Sequence, residues 1–292
     1  MSGRPKPETD ETAEAGYFTA PPIDLSFERG EYFHLLRMAG WEPKPKTNYD
    51  VASREFDNMR NNAPTDALYA QSMIRWGHIR AGCLVLDAGC GTGNHTMGIS
   101  GACEADIFGL DRSPGMLSVA NKKARGKWVR GDVLNLPFGN SAFDTVMMIL
   151  VLQHVDDEPW AISEAHRVLR PGGRLLVATV SHSRIRKHIM RHFPGLVRID
   201  LERFMPVPEL KWHARNQGFA EVRGHIMRTD PVTTKVDALI DRFRRRYIST
   251  LALVPDGDFE KNLELFEKRV RAEYGDELQR DLVVTFMEAT KF

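Results

Sequence analysis

Leu84-Val85-Leu86-Asp87-Ala88-Gly89-Cys90-Gly91-Thr92-Gly93 decides the reading of this chain, because an apolar run ends in an acid and then in three alternate glycines. The run has the composition of a buried strand. The glycines let the backbone turn tightly and approach a ligand where a Cβ would collide, and they deliver it to a helix N-terminus with unpaired N–H groups. Outward from this point, Ala105 to Leu110 reads as a second strand. Asp111 follows it at about the spacing from Asp87 at which nucleotide-binding folds place a carboxylate on ribose hydroxyls. Strand, glycine turn, helix, strand and acid, in that order, imply a site for a nucleoside-bearing ligand. The glycines form G-x-G-x-G rather than G-x-G-x-x-G, which points away from nicotinamide dinucleotides.

Beyond the turn the chain alternates strand and helix. Lys127 to Arg130 is a third strand, and Asp144 to Leu152 a fourth whose unbroken apolar character fits burial on both faces. Glu158 to Leu169 reads as a helix with Ala161, Ala165, Val168 and Leu169 as its buried stripe. Arg170-Pro171-Gly172-Gly173 then forces a turn into a fifth strand, Arg174 to Val180. Ala220 to Arg228 and Leu282 to Ala289 supply two last strands, the final one antiparallel. The expected fold is α/β: a Rossmann-like, doubly wound, seven-stranded, mostly parallel sheet with one antiparallel strand, joined by right-handed crossovers. An N-terminal helical lid and helical inserts complete it.

Residues 1–16, rich in Pro, Glu, Thr and Ala, cannot bury enough apolar surface to offset ordering and are expected to be a disordered tail. Residues 17–79 form an N-terminal helical cap, with helices over Phe27 to Met38, Asp50 to Arg60 and Thr65 to Ile79. Tyr69, Met73 and Trp76 share one face of the last of these and read as packing against the sheet. Residues 80–292 are the main domain, interrupted by inserts at 181–205 and 229–281. The first insert leaves the sheet on the ligand side and is a candidate substrate wall. It carries Arg184, Arg186, Lys187, Arg191 and Arg198 with His182, His188 and His192. A solvated basic face is the plain reading, and an anion-holding site, with Arg184, Arg186 and Tyr17 as substrate contacts, the sharper one. The second insert reads as mainly helical, a lid or a homo-oligomerisation element, and its Arg242, Arg244, Arg245 and Arg246 repeat the ambiguity.

The 292 residues carry a formal net charge of +1, which removes any whole-molecule attraction to nucleic acid. Cys83, Cys90 and Cys103 offer neither a C-x-x-C pair nor a disulfide framework, so a reducing, cytoplasmic setting is expected. No charged-then-apolar leader opens the sequence, and the longest apolar run, around Val146 to Leu152, is far too short to span a bilayer.

Asp87 to Gly93, Asp111, Gly131-Asp132-Val133 and Arg170-Pro171-Gly172-Gly173 together resemble the ordered motifs of class I S-adenosylmethionine-dependent methyltransferases. The likeness covers roughly residues 80–180 and is greatest to the small-molecule branch typified by ubiquinone and menaquinone biosynthesis, the type 11 methyltransferases. The resemblance implies S-adenosyl-L-methionine as cofactor. It puts Gly89 and Gly91 under the methionine part, Asp111 on the ribose hydroxyls, Asp132 at the adenine amino group and Val133 against the adenine ring. The same likeness extends the cofactor set to Asp87, Cys90, Gly93, Arg112, Met116 and Gln153, and to Tyr49, at a place where such enzymes often carry a tyrosine near the methionine end. Cys90 is otherwise a small packing residue.

Methyl transfer from a sulfonium needs alignment, exclusion of water and, for some acceptors, removal of a proton. No metal is needed, and the histidines and carboxylates lack ligand spacing. At the end of the fourth strand, where the acceptor would face the methyl group, stands Leu152-Gln153-His154-Val155-Asp156. His154 suits proton transfer near neutrality, and is read either as the catalytic base or as a pocket residue. The Asn/Asp-Pro-Pro-aromatic motif of exocyclic-amine methylation is absent, and no cysteine stands where cytosine C5 chemistry needs one. A small, anionic or aromatic metabolite is therefore the expected acceptor, at O, N or C. An RNA methyltransferase is the alternative enzyme reading, and a catalytically silent cofactor-binding scaffold the alternative of another class.

Overall fold

A computed structural model describes residues 47–50, 53, 56–57 and 63–292. The expected tail, the Phe27 to Met38 helix and Tyr17 lie outside the described residues, and of the Asp50 to Arg60 helix only positions 50, 53, 56 and 57 are described, all helical.

Seven strands form one sheet: β1 (Leu84–Ala88), β2 (Asp106–Asp111), β3 (Lys127–Arg130), β4 (Phe143–Ile149), β5 (Leu169–Thr179), β6 (Phe219–Arg228) and, after two short strands of a separate ribbon, β9 (Val283–Lys291). Their order is β3-β2-β1-β4-β5-β9-β6, and only β9 runs antiparallel to its neighbours β5 and β6. The chain moves outward from β1 to β3 and then returns to place β4 on the other side of β1, so the order reverses between β1 and β4, where such sheets open a ligand crevice.

Strand periodicity divides the interior. Leu86, Val146, Met148, Leu175 and Val177 face one layer, with helices α4 (Glu158–Val168) and α7 (Val207–Asn216). Val85, Met147, Ile149, Leu176 and Ala178 face the other, against α1 (Ala63–Trp76) and Ile99 of α2 (Asn94–Ala102). On α1, Tyr69 and Met73 are buried and Trp76 packs at 5.0 Å from the ring of Phe286 on β9, so that stripe is core packing. Helix α3 (Pro114–Lys123) begins on a Ser113 cap whose Oγ accepts from Met116 N.

Four details differ from the sequence reading. Arg170 to Gly173 is not a turn outside the strand but a bulge within β5: the register with β4 jumps from Leu169 to Arg174, and Gly172 supplies the left-handed residue (φ +77°). Strand β4 stops at Ile149, three residues early, because Leu150 takes a left-handed conformation (φ +54°) and Leu152–His154 close a single 3-10 turn. The last strand runs on to Lys291. The 229–281 insert also holds a two-stranded ribbon, β7 (Val232–Lys235) paired with β8 (Glu277–Arg280), enclosing α8 (Val236–Arg244) and α9 (Asp256–Tyr274).

The two inserts share a third apolar core. Phe193 and Leu196 from the first, beside α5 (His182–Lys187) and α6 (Leu196–Arg203), pack with Phe243, Leu251, Phe259, Leu263 and Phe266 from the second. Segments far apart in sequence thus build one cap.

Candidate active site

The carboxyl ends of β1, β2, β3 and β4 converge on one site. Gly89 N and Cys90 N both donate to Leu110 O, at 2.7 and 2.9 Å, fastening the glycine turn to the end of β2. Gly91 N donates to Asp111 Oδ2 and Ser113 N to Asp111 Oδ1, each at 2.8 Å, so this carboxylate is aimed by the backbone on both sides. Gly131 N donates to Asp111 O at 3.1 Å, which brings the end of β3 alongside; Asp132 Oδ1 there accepts from Leu134 N at 2.9 Å, with Val133 buried. Met116 is buried at the start of α3, and Arg112 is exposed.

The glycines have separate reasons for being glycine. All three are left-handed, but a Cβ on Gly89 would strike Val151 and one on Gly93 would strike the Trp128 ring, whereas one on Gly91 would meet nothing within 4 Å among the described residues.

Asp87 lies beneath this turn with only 1% of its surface exposed. Its Oδ2 accepts from Thr96 Oγ1 at 2.6 Å, while Oδ1 has no partner among the described residues. Burial raises its pKa to about 6 against the Thr96 hydrogen bond, and the Asp111 carboxylate adds to the rise. A buried carboxylate with one idle oxygen is a receptor for a cation, and the α-ammonium of S-adenosylmethionine matches it. Asp111 suits the ribose hydroxyls in the same way, so the residues present fit that group. Cys90 is buried, and its thiol is pushed far up by burial, then by Asp87 and Asp111, which leaves it inert packing.

Asp50 and Asp57, before α1, reach the loops after β2 and β1 respectively. Ser113 Oγ donates to Asp50 Oδ1 at 2.5 Å and Gly115 N at 3.2 Å, which holds Asp50 below the ordinary carboxylate range. Thr92 Oγ1 and Asn94 Nδ2 donate to Asp57 Oδ1 at 2.7 and 3.1 Å, and Lys123 pairs with the same carboxylate. Thr47 Oγ1 donates to Ser249 O of the cap at 3.1 Å. Tyr49 is thereby held over the end of β4.

At that end, Tyr49 Oη lies 2.8 Å from His154 Nε2, the two rings meeting at right angles with centroids 5.1 Å apart. Gln153 Nε2 donates to Leu150 O at 2.7 Å, bracing the left-handed residue. A non-glycine residue in this conformation costs on the order of 1–2 kcal/mol, and such strain gathers where a site needs a side chain re-aimed. Here it delivers His154.

Sequence reading missed Arg203. It is the last residue of α6, fully buried, and its Nη2 lies 2.9 Å from His154 Nδ1. Its signal was the Asp200–Arg203 pair at i, i+3 amid apolar neighbours, unlike the solvated cations earlier in that insert. The substrate candidates of the same insert are placed elsewhere: Arg184 donates to Asp281 Oδ1 at 2.6 Å, and Arg186 is exposed. Arg191 pairs with Glu273, Arg244 with Asp241, Arg246 with Asp256, and Arg242 lies over the Tyr247 ring. Among the described residues no helix is long and apolar enough to cross a membrane.

Residues 86–177 match the family model described as a methyltransferase domain. A Staphylococcus haemolyticus protein named demethylmenaquinone methyltransferase is 32% identical over 143 residues, which is 46% of this chain and 60% of that protein. The chain spans between about half and three fifths of the length of the curated relatives it matches. Among solved structures, an Anabaena variabilis protein assigned as a methyltransferase from an antibiotic biosynthesis pathway superposes with a TM-score of 0.61 at 21% identity, covering 76% of this chain and 96% of that one. A Haemonchus contortus phosphoethanolamine N-methyltransferase, in complex with phosphomonomethylethanolamine and S-adenosylhomocysteine, superposes with a TM-score of 0.53 at 18% identity, covering 83% and 57%. These two likenesses bear on the fold alone, a Rossmann-like sheet shared with both.

Proposed function

We propose that this chain, whose residues 86–177 match a methyltransferase-domain model, transfers a methyl group from S-adenosylmethionine to a small molecule held at the carboxyl end of β4. The observation that carries the reading is Asp87: a buried carboxylate with one oxygen that has no partner among the described residues, under a glycine turn whose Gly91 has no described atom within 4 Å of where a Cβ would stand. When bound, S-adenosylmethionine supplies an electrophilic methyl on a sulfonium.

The chain supplies the rest. Asp87 and the glycine turn take the amino-acid end, Asp111 the ribose, and Asp132 with Val133 the base. Tyr49 stands at the end of β4 beside His154, where it would help to keep water from the transferred group. Tyr49 and His154 line the acceptor side. The relatives named for demethylmenaquinone make an aromatic, quinone-derived acceptor the first class to assay. Arg184, Arg191, Arg244 and Arg246 of the inserts are engaged in ion pairs, which weakens the case for an RNA acceptor.

The test is calorimetric titration with S-adenosylhomocysteine, followed by transfer of labelled methyl to demethylated quinol analogues and, in parallel, to bulk RNA. Binding and labelling of a small molecule are expected. Asp111→Ala should weaken binding tenfold or more, since each charge-assisted bond to the ribose is worth about 1.5–3 kcal/mol. Wild-type affinity in that variant would overturn the cofactor assignment, and labelling of RNA alone would overturn the acceptor class.

A further inference from the structure

Arg203 is wholly buried and reaches no solvent, so it is not placed as a receptor for a dissolved anion; it reaches His154 instead. We propose that Arg203 is a positioning residue that imposes a single tautomer on His154, making the imidazole a donor to Tyr49 and not an acceptor of the substrate's proton. The functional meaning rests on the methyl-transfer reading, whereas the tautomer is a property of the chain alone.

A guanidinium has donors only, so the Nδ1 that faces Arg203 Nη2 at 2.9 Å must present its lone pair. A neutral imidazole then carries its proton on Nε2, which lies 2.8 Å from Tyr49 Oη and donates to it. Gln153 Nε2, 3.3 Å from the same Nε2, favours the opposite tautomer, in which Nε2 accepts. The opposite tautomer, however, would aim Nδ1–H at a cationic donor. A charge-assisted bond is about twice as strong as a neutral one, so Arg203 decides. An imidazolium would meet the same head-on clash. One nitrogen of His154 is thus committed to Arg203 and the other already bears a proton, while the hydroxyl hydrogen of Tyr49 is not spent on His154.

The arrangement is built to persist. Thr250 Oγ1 accepts from Arg203 Nη1 at 3.1 Å and donates to Asp200 Oδ1 at 2.6 Å, and Asp200 Oδ1 itself lies 3.8 Å from the guanidinium. Ser249 Oγ accepts from Nη2 at 3.4 Å. A buried charge with a matched partner and hydroxyl relays stays ionised and fixed. Both inserts contribute, Asp200 and Arg203 from one and Ser249 and Thr250 from the other, so the cap reaches the reacting end of the site through this guanidinium.

The experiment is two-bond proton–nitrogen NMR on the full chain labelled with 15N-histidine, the signals of His154 being assigned by their loss in His154→Gln. At neutral pH the wild type should show His154 with unprotonated Nδ1 and protonated Nε2. An Nδ1–H tautomer or an imidazolium overturns the proposal. In Arg203→Met/Asp200→Asn, which removes both buried charges together, the fixed tautomer should be lost. Turnover should fall about tenfold or more with S-adenosylhomocysteine affinity kept within about twofold. Retention of the tautomer and of wild-type turnover in that variant also overturns it. If the wild type fails to bind S-adenosylhomocysteine, the methyl-transfer reading falls, and the nitrogen shifts still decide the tautomer.

Discussion

Asp87 shows how one residue trades stability for a site. Its folded pKa, raised by burial to about 6 from the ordinary 3.8, means that the folded chain holds this proton more tightly than the unfolded chain does. Any stability this group contributes is present below pH 3.8 and lost as pH rises through about 6, so at neutral pH its ionised form opposes folding by on the order of 2–3 kcal/mol. Asp87→Asn should therefore raise the melting temperature of the ligand-free protein at pH 7.5 while abolishing most of its affinity for S-adenosylmethionine. Wild-type affinity should in turn decline below pH 6, where the carboxylate gains a proton. A variant less stable than wild type at pH 7.5, with affinity retained, would contradict both halves. At this scale the sequence was legible where chemistry is local: the acid and glycines of residues 87–93 and Asp111 were readable because strand, turn and acid are consecutive. Arg203 was not, because its importance depends on what lies against it, and His154 is 49 residues away in the chain.

At the scale of elements, Asp50 and Asp57 tie the segment around Tyr49 to the loops at the carboxyl ends of β1 and β2 by polar contacts. Asp50 is tied to Ser113 and Gly115 after β2, and Asp57 to Thr92 and Asn94 after β1 and to Lys123 at the end of α3. Removing both carboxylates, Asp50→Ala with Asp57→Ala, should speed release of S-adenosylhomocysteine by about tenfold in stopped-flow chase, with a much smaller change in the association rate, since interface changes act mainly on dissociation. An unaltered release rate would show that the segment does not retain the ligand. Element type was readable from periodicity for all seven sheet strands, but ends were not. The bulge at Arg170–Gly173 reads as a turn in any local view, because the same Pro-Gly-Gly chemistry serves both and only pairing with β4 distinguishes them. The early stop of β4 depends on a left-handed Leu150 that no side-chain pattern announces.

At the scale of the whole molecule, the cap is where sequence reading ran out. Its two inserts are separated by α7 and β6, and Ile189, Phe193 and Leu196 of the first pack into a core built mainly by the second, with Phe243, Phe259 and Phe266. Three of the points where the chain passes between sheet and cap meet at Asp281. Arg184 enters from β5, Arg228 lies at the end of β6, and Asp281 itself stands between β8 and β9, its Oδ1 accepting from Arg184 and its Oδ2 from Arg228, both at 2.6 Å. Burial alone would raise the pKa of Asp281, but the Arg184 hydrogen bond and the two guanidinium charges hold it below the ordinary carboxylate range. A carboxylate depressed in this way contributes stability above its unfolded pKa, near 3.8, and loses it as pH falls through its lower folded value. The junction should therefore hold throughout the neutral range and loosen only in strong acid. Asp281→Asn should reproduce that loosening at pH 7: hydrogen exchange should quicken across 182–203 and 232–280 and at Tyr49, while amides of β1, β4 and β5 stay protected. Because Arg203 and Thr250 are carried on the same cap, turnover should fall more than affinity for S-adenosylhomocysteine. Exchange that rises equally in cap and sheet would mean that the two unfold as one body and that Asp281 is an ordinary surface ion pair.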